Sequence, residues 1–99
     1  MTLRVKISAR AASQIRKASE WWADNRPAAP GAVRIDIADA LILLARQPGI
    51  GTLYEGVRTQ GLRRLLVGRI QYFIYYRSTP DSLEVLAVWH SSRGRQPSL

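Results

Sequence analysis

Apolar and polar positions alternate with period two at the start of the chain, where Leu3, Val5 and Ile7 are interleaved with Arg4 and Lys6. That period predicts a strand over Leu3–Ser8. Ser8 stands where a helix N-cap belongs. From Ala9 the period changes: Ala11, Ile15, Ala18 and Trp22 recur at spacings of three and four, with Arg10, Gln14, Lys17 and Asp24 on the outward side. This is an amphipathic helix over Ala9–Asn25, stopped by Asn25-Arg26-Pro27 because the residue before proline leaves the helical region. Pro30 or Gly31 opens a second helix running to Arg46, with Val33, Ile37, Ala40, Leu41 and Leu44 as its stripe and Gln47-Pro48-Gly49 as its end. The short connection makes the two helices an antiparallel hairpin.

Gly49–Gly61 shows no period and reads as a long irregular connection. Beyond it, period two returns. Leu62–Val67 is a strand, Gly68-Arg69 a two-residue hairpin turn, and Ile70–Arg77 a strand rich in aromatic and β-branched residues. Ser78–Ser82 turns the chain, and Leu83–Trp89 is apolar almost throughout, as a strand covered on both faces would be. Ser91–Leu99 is a polar tail. The order β-α-α-β-β-β predicts an α+β fold in which a helical hairpin packs on one face of a mainly antiparallel, twisted sheet, leaving the other face mostly for a partner.

Ninety-nine residues, 46% of them apolar, suffice for a single domain with one core, spanning 1–99. They exclude a disordered chain and a cleft between two domains. There is no cysteine and one histidine, so neither a disulfide framework nor a Cys- or multi-His metal site is available. The longest apolar run, Ala40–Ala45, is far short of the roughly 20 residues that span a bilayer, and the N-terminal stretch is too short and interrupted for a signal peptide. A cytoplasmic protein without metal or cofactor is expected.

Charge changes the picture. Fifteen Lys and Arg face seven Asp and Glu, for a net charge of +8, and thirteen of the fifteen cations are Arg. Guanidinium pairs with carboxylate or phosphate through two-point contacts and stacks on rings, so the balance points to an anionic partner, either an acidic protein or nucleic acid. His90 is the one conventional general base, close in sequence to Arg93. With arginines holding a phosphate it could cleave RNA; the bland alternative is a structural histidine at a strand end. Arg63, Arg64, Arg69 and Arg77 fall on or between adjacent strands, as an anion-binding surface or as a solvated edge. Tyr72 and Tyr76 share one strand face and Tyr75 takes the other, which favours core over a base-stacking platform. Trp22 lies on the apolar stripe and Trp21 at its margin, where a large aromatic either packs half-buried or anchors a partner. Asp36 and Asp39 are expected to face solvent.

The segments Ala18-Ser19-Glu20-Trp21-Trp22-Ala23-Asp24-Asn25-Arg26-Pro27, Leu62-Arg63-Arg64-Leu65-Leu66-Val67-Gly68, Tyr72-Phe73-Ile74-Tyr75-Tyr76-Arg77 and Leu86-Ala87-Val88-Trp89-His90-Ser91-Ser92-Arg93 resemble the ParE branch of the ParE/RelE toxin superfamily. The likeness covers about residues 3–95. It implies the toxin of a bacterial toxin–antitoxin pair, neutralised by an acidic ParD-like antitoxin that suits a charge of +8. Of the two targets in the superfamily, RelE-like members cut messenger RNA on the ribosome, whereas ParE-like members inhibit DNA gyrase without being enzymes. RelE-like catalytic positions are occupied here by about Tyr72, Ser91 and Pro97, where arginines and a tyrosine would be required, so the resemblance favours the gyrase type. Partner contacts are then expected at Trp21, Arg63, Arg77, Arg93 and Arg95. The alternative, a ribosome-dependent endoribonuclease, would use His90 with Arg63, Arg77 and Arg93. Direct binding of nucleic acid is compatible with either reading and required by neither.

Overall fold

The computed structural model describes residues 2–54 and 58–99. The first strand, β1, spans Arg4–Ile7, and Ser8 then turns the chain into helix α1, Ala9–Asn25. Ser8 does so with its side chain, whose Oγ accepts the Ala11 N–H at 3.0 Å, satisfying one of the donors a helix start leaves free. At the other end the Arg26 N–H returns to the Trp22 carbonyl and Pro27 forbids another turn. Helix α2, Ala32–Arg46, closes in the same way, with Gln47 N–H on the Leu43 carbonyl and Pro48 behind it.

Four further strands follow: β2 (Thr52–Leu53), β3 (Arg63–Val67), β4 (Tyr72–Ser78) and β5 (Ser82–His90). The sheet order is β1-β5-β4-β3-β2. β1 pairs with β5 in parallel, from Arg4 opposite Ser82 to Ile7 opposite Val85, and the other pairings are antiparallel. The expected α+β architecture is therefore found, with one strand added. The segment from Gly49, read as irregular, starts inside a 3₁₀ turn at Pro48–Ile50 and runs into β2; its residues 55–57 lie outside the described part.

The hairpin between β3 and β4 differs from expectation. Val67 pairs with Tyr72, so the turn holds four residues, Gly68–Gln71, rather than two. The left-handed conformation in this turn falls on Gln71, at φ 60°, and not on Gly68. Ile70 is responsible: it folds under the turn into the core and is buried.

Both helices pack on one sheet face. Ala11, Ala18, Val33, Ile37, Leu41 and Leu44 meet Ile74, Tyr76, Leu83, Val85 and Val88 in the main core. Leu83, Val85 and Val88 all face the helices because the ladder slips between Tyr75 and Tyr76. Those two residues pair with Ala87 and Val85, which leaves Leu86 unpaired in a bulge. Ser8 anchors this bulge, its N–H on the Val85 carbonyl and its hydroxyl on that of Leu86.

The second face is not left to a partner in full. Leu62, Tyr75, Ala87 and Trp89 form a smaller core there, joined by Tyr54, Phe73, Leu86 and the C-terminal Leu99. The tail read as polar is strapped across it. Trp89 Nε1–H donates to the Arg95 carbonyl at 2.9 Å, the Tyr75 hydroxyl donates to Gln96 Oε1 at 2.9 Å, and Arg10 donates to the Ser98 carbonyl at 2.6 Å. Pro97 is buried. Two apolar faces thus explain why β5 is apolar almost throughout. β1, at the sheet edge, is exposed throughout, and Val5 and Ile7 remain largely uncovered.

Candidate functional site

The sequence-selected residues separate into two groups at opposite ends of the β4–β5 hairpin. Tyr72 is the register partner of His90, whereas Tyr76 pairs with Arg63 and Arg77 with Glu84. Tyr72 and Tyr76 are four residues apart on one strand, about 13 Å at the usual rise. His90 is therefore not brought together with Arg63 or Arg77.

At the Tyr76 end, the polar groups are occupied within the fold. Arg63 Nη1 donates to the carbonyl of Gly51 at 2.7 Å and, more loosely, to that of Gly49 at 3.3 Å. The Tyr76 hydroxyl donates to the Pro48 carbonyl at 2.7 Å and accepts the Gly51 N–H at 2.9 Å. Burial pushes the phenol of Tyr76 up, opposed by the Gly51 bond and the positive charge of Arg63. Arg77 Nε pairs with Glu84 across the strands at 2.6 Å. Arg64, on the second face, lies over Tyr54 and Phe73, 4.8 and 4.2 Å from the ring centroids. At the other end, in the turn that leads into Tyr72, Arg69 makes a two-point ion pair with Asp36 of α2, at 2.8 and 2.6 Å. Asp36 was expected to face solvent; the hairpin turn brings the guanidinium to it, and the hydrogen bond and charge of Asp36 raise the Arg69 pKa.

At the Tyr72 end, the arrangement is open. β1 ends opposite Val85, so the next exposed backbone donor of β5, the Val88 N–H, is taken by Gln14 Oε1 of α1 at 2.8 Å. Beyond that bond a cavity of about 240 Å³ lies between α1 and the sheet, lined by Gln14, Lys17, Trp21, Tyr72, His90 and Arg93. The His90 ring stands edge-on to Tyr72 at 4.9 Å. Its Nδ1 accepts the Ser92 N–H at 3.1 Å and lies 2.6 Å from the Ser92 hydroxyl, which assigns the proton of the neutral ring to Nε2. Arg93 reaches around the end of the sheet, with its guanidinium 4.1 Å from the centre of the Trp89 ring. Burial pushes the Tyr72 phenol up, and the charge of Arg93 opposes it. Trp21 is 48% exposed even with Arg26 stacked 5.2 Å from its ring centre. Arg95 is exposed, and its carbonyl accepts the Trp89 Nε1–H.

Of the expected site residues, the structure thus brings His90, Arg93 and Trp21 to one cavity, places Arg95 beyond it on the tail, and puts Arg63 and Arg77 elsewhere. Gln14 and Lys17, read as outward-facing, are the additions. Their signal was faint but present: Gln14, Lys17 and Trp21 follow one another at spacings of three and four along one edge of α1. Among the described residues there is no group of carboxylate, imidazole or thiol side chains that could hold a metal, and no helix long and apolar enough to cross a membrane.

A two-helix hairpin on one face of a five-stranded sheet, with a cavity lined by Lys17 and Arg93 at the sheet's end, defines a small basic α+β protein. The sequence model described as "ParE toxin of type II toxin-antitoxin system, parDE" matches residues 5–95, and the chain belongs to that family. Among solved structures, the chain is similar to one from the chromosomal ParDE toxin–antitoxin system of P. aeruginosa. The TM-score is 0.73 at 18% identity, over 90% of this chain and 96% of the other. No curated protein matches the chain.

Proposed function

We propose that this ParE toxin inhibits DNA gyrase by binding it, without cleaving a substrate, and that an acidic ParD-like antitoxin neutralises it. The observation that carries this reading is the family match over residues 5–95. The solved relative, itself a ParDE system, supports an antitoxin as partner. The charge of +8 favours acidic partners, by steering encounter and by pairing at the interface. Trp21, Arg93 and Arg95 are the residues assigned to partner contact, being the exposed aromatic and the cations at the open end. Arg63 and Arg77 have internal partners, which weighs against a ribonuclease that needs them beside His90. Such a target and antitoxin place the protein in the cytoplasm.

A second reading rests on the cavity itself. His90, Lys17, Tyr72 and Arg93 share it, and a histidine among cations is a minimal set for moving a proton next to a phosphate. Incubation of the purified protein with gyrase and relaxed plasmid, and separately with ribosomes carrying a defined message, decides between them. Loss of supercoiling with the message intact is expected, and His90→Ala should leave that inhibition in place. Cleavage of the message in the ribosomal A site, abolished by His90→Ala, would replace this reading with the ribonuclease.

A further inference from the structure

The cavity at the end of β4 and β5 has the makings of a specific anion site. Lys17 approaches it from α1 and Arg93 from the segment after β5, and no carboxylate among the described residues lines it. Among the described residues neither cation sits in an ion pair, in contrast to Arg69 and Arg77. Two cations from different elements, in no ion pair and on a concave surface, favour a charged oxygen ligand more than the same cations on a convex one. The neutral donors agree with this sign. Nε2 of the His90 ring carries a proton because Nδ1 is committed to Ser92, and the raised Tyr72 hydroxyl stays protonated at neutral pH.

The aromatic groups narrow the class. A carboxylate or a free phosphate would use the cations and leave Trp21 idle, half-exposed beside the cavity. A nucleotide uses both, since a base has a flat face to stack and its phosphate lies one sugar away. The cavity, about 240 Å³, offers room on the scale of one nucleotide unit. In a duplex the bases are stacked and paired, so only its phosphates reach such a cavity.

We propose that this cavity seats one phosphate and the adjoining unpaired base of a single-stranded nucleic acid, with Lys17 and Arg93 on the phosphate and Trp21 against the base. This assignment rests on the cavity's geometry, not on gyrase as the target, and its test contains no gyrase.

The test is fluorescence anisotropy of a labelled twelve-nucleotide single-stranded DNA and of the corresponding hairpin duplex, titrated with the full chain at several salt concentrations. An acidic peptide of alternating Glu and Leu serves as a third probe. Lys17→Gln and Arg93→Gln are each expected to weaken single-strand binding about tenfold at low salt and to reduce the slope of log affinity against log salt by about 0.7. Trp21→Ala should weaken the single strand about tenfold and the duplex less than twofold, and Trp21→Phe should restore most of the loss. Arg34→Gln, an exposed cation on α2, removes the same charge and should stay within about twofold of the parent. Three results would overturn the assignment: equal losses from Arg34→Gln and Arg93→Gln, which is unspecific charge; no effect of Trp21→Ala on a chain whose thermal melt is unchanged; or Lys17- and Arg93-dependent binding of the peptide with none of the oligonucleotide.

Discussion

The two ends of the β4–β5 hairpin carry similar residues and do different things with them. Each end has a half- or fully buried tyrosine on the helix-facing side and arginines beside it. At the Tyr76 end every such group is answered from within: Arg63 by the Gly51 carbonyl, Tyr76 by Gly51 and Pro48, Arg77 by Glu84. At the Tyr72 end Arg69 is answered by Asp36, but among the described residues the cavity-lining Lys17 and Arg93 are in no ion pair, and the cavity beside them is open. The difference lies in what covers each end. The 3₁₀ turn and β2 fold over the first, supplying backbone carbonyls where guanidinium and phenol need acceptors. β1 stops short of the second, and only Gln14 fills the gap. An arginine's role is therefore set by whether the chain returns to it, which residue type and net charge do not reveal.

That contrast predicts a graded series of effects. The largest belongs to Gly51→Ala. A Cβ there would fall within the Tyr76 hydroxyl and 2.8 Å from ring atom Cε1, while the tyrosine is pinned in the core. Overpacking plus loss of the Gly51–Tyr76 bond should cost about 3 kcal/mol in a urea unfolding measurement. Tyr76→Phe comes next. It removes a hydroxyl that serves one donor and one acceptor, and leaving those unpaired should cost about 2 kcal/mol.

The same variant has a pH signature. The folded Tyr76 phenol titrates above its ordinary value of 10.0, so in alkali the unfolded chain loses this proton first. The stability it provides is full below about pH 10 and declines as pH rises through the folded value. Tyr76→Phe should flatten that alkaline decline, and Tyr72→Phe should flatten a separate part of it, since Tyr72 is shifted in the same direction.

Arg63→Ala should cost about 1 kcal/mol, the scale of one charge-assisted bond on a partly exposed carbonyl. Arg77→Ala should cost less than about 1 kcal/mol, because its pair with Glu84 is largely solvated. If Arg63→Ala or Arg77→Ala instead left stability unchanged and abolished partner binding, the division between the two ends would be wrong.

Much of the fold was legible because period and punctuation agreed. The stripe from Ala11 to Trp22, the Ser8 cap and the Pro27 stop each give the bounds of α1, and the apolar run of β5 foretold its cover on both faces. What escaped was decided by distant chain. Gly68 carried the local signal for the hairpin turn, yet burial of Ile70 moved the left-handed residue to Gln71. The tail is polar in composition, but Leu99 docks it on the second core, Pro97 is buried, and its carbonyls and Gln96 satisfy Trp89, Tyr75 and Arg10. For the candidate site, the sequence singled out His90, Arg93 and Trp21 by residue type, and the structure brings them to one cavity. Lys17 and Gln14 were not singled out, because nothing in their helical spacing tells which strand end they face. The internal partners of Arg63 and Arg77 were hidden for a similar reason: Gly51 and Glu84 meet them only through strand register.

The measurement that bears most directly on the division between the ends is the concentration of toxin needed to halve gyrase supercoiling of plasmid, compared for Arg93→Ala/Arg95→Ala and Arg63→Ala/Arg77→Ala. The first pair should raise it at least tenfold and the second by less than about twofold. Equal shifts, or a larger shift from the Arg63 and Arg77 pair in a chain that is still folded, would contradict the assignment of one end to the fold and the other to the partner.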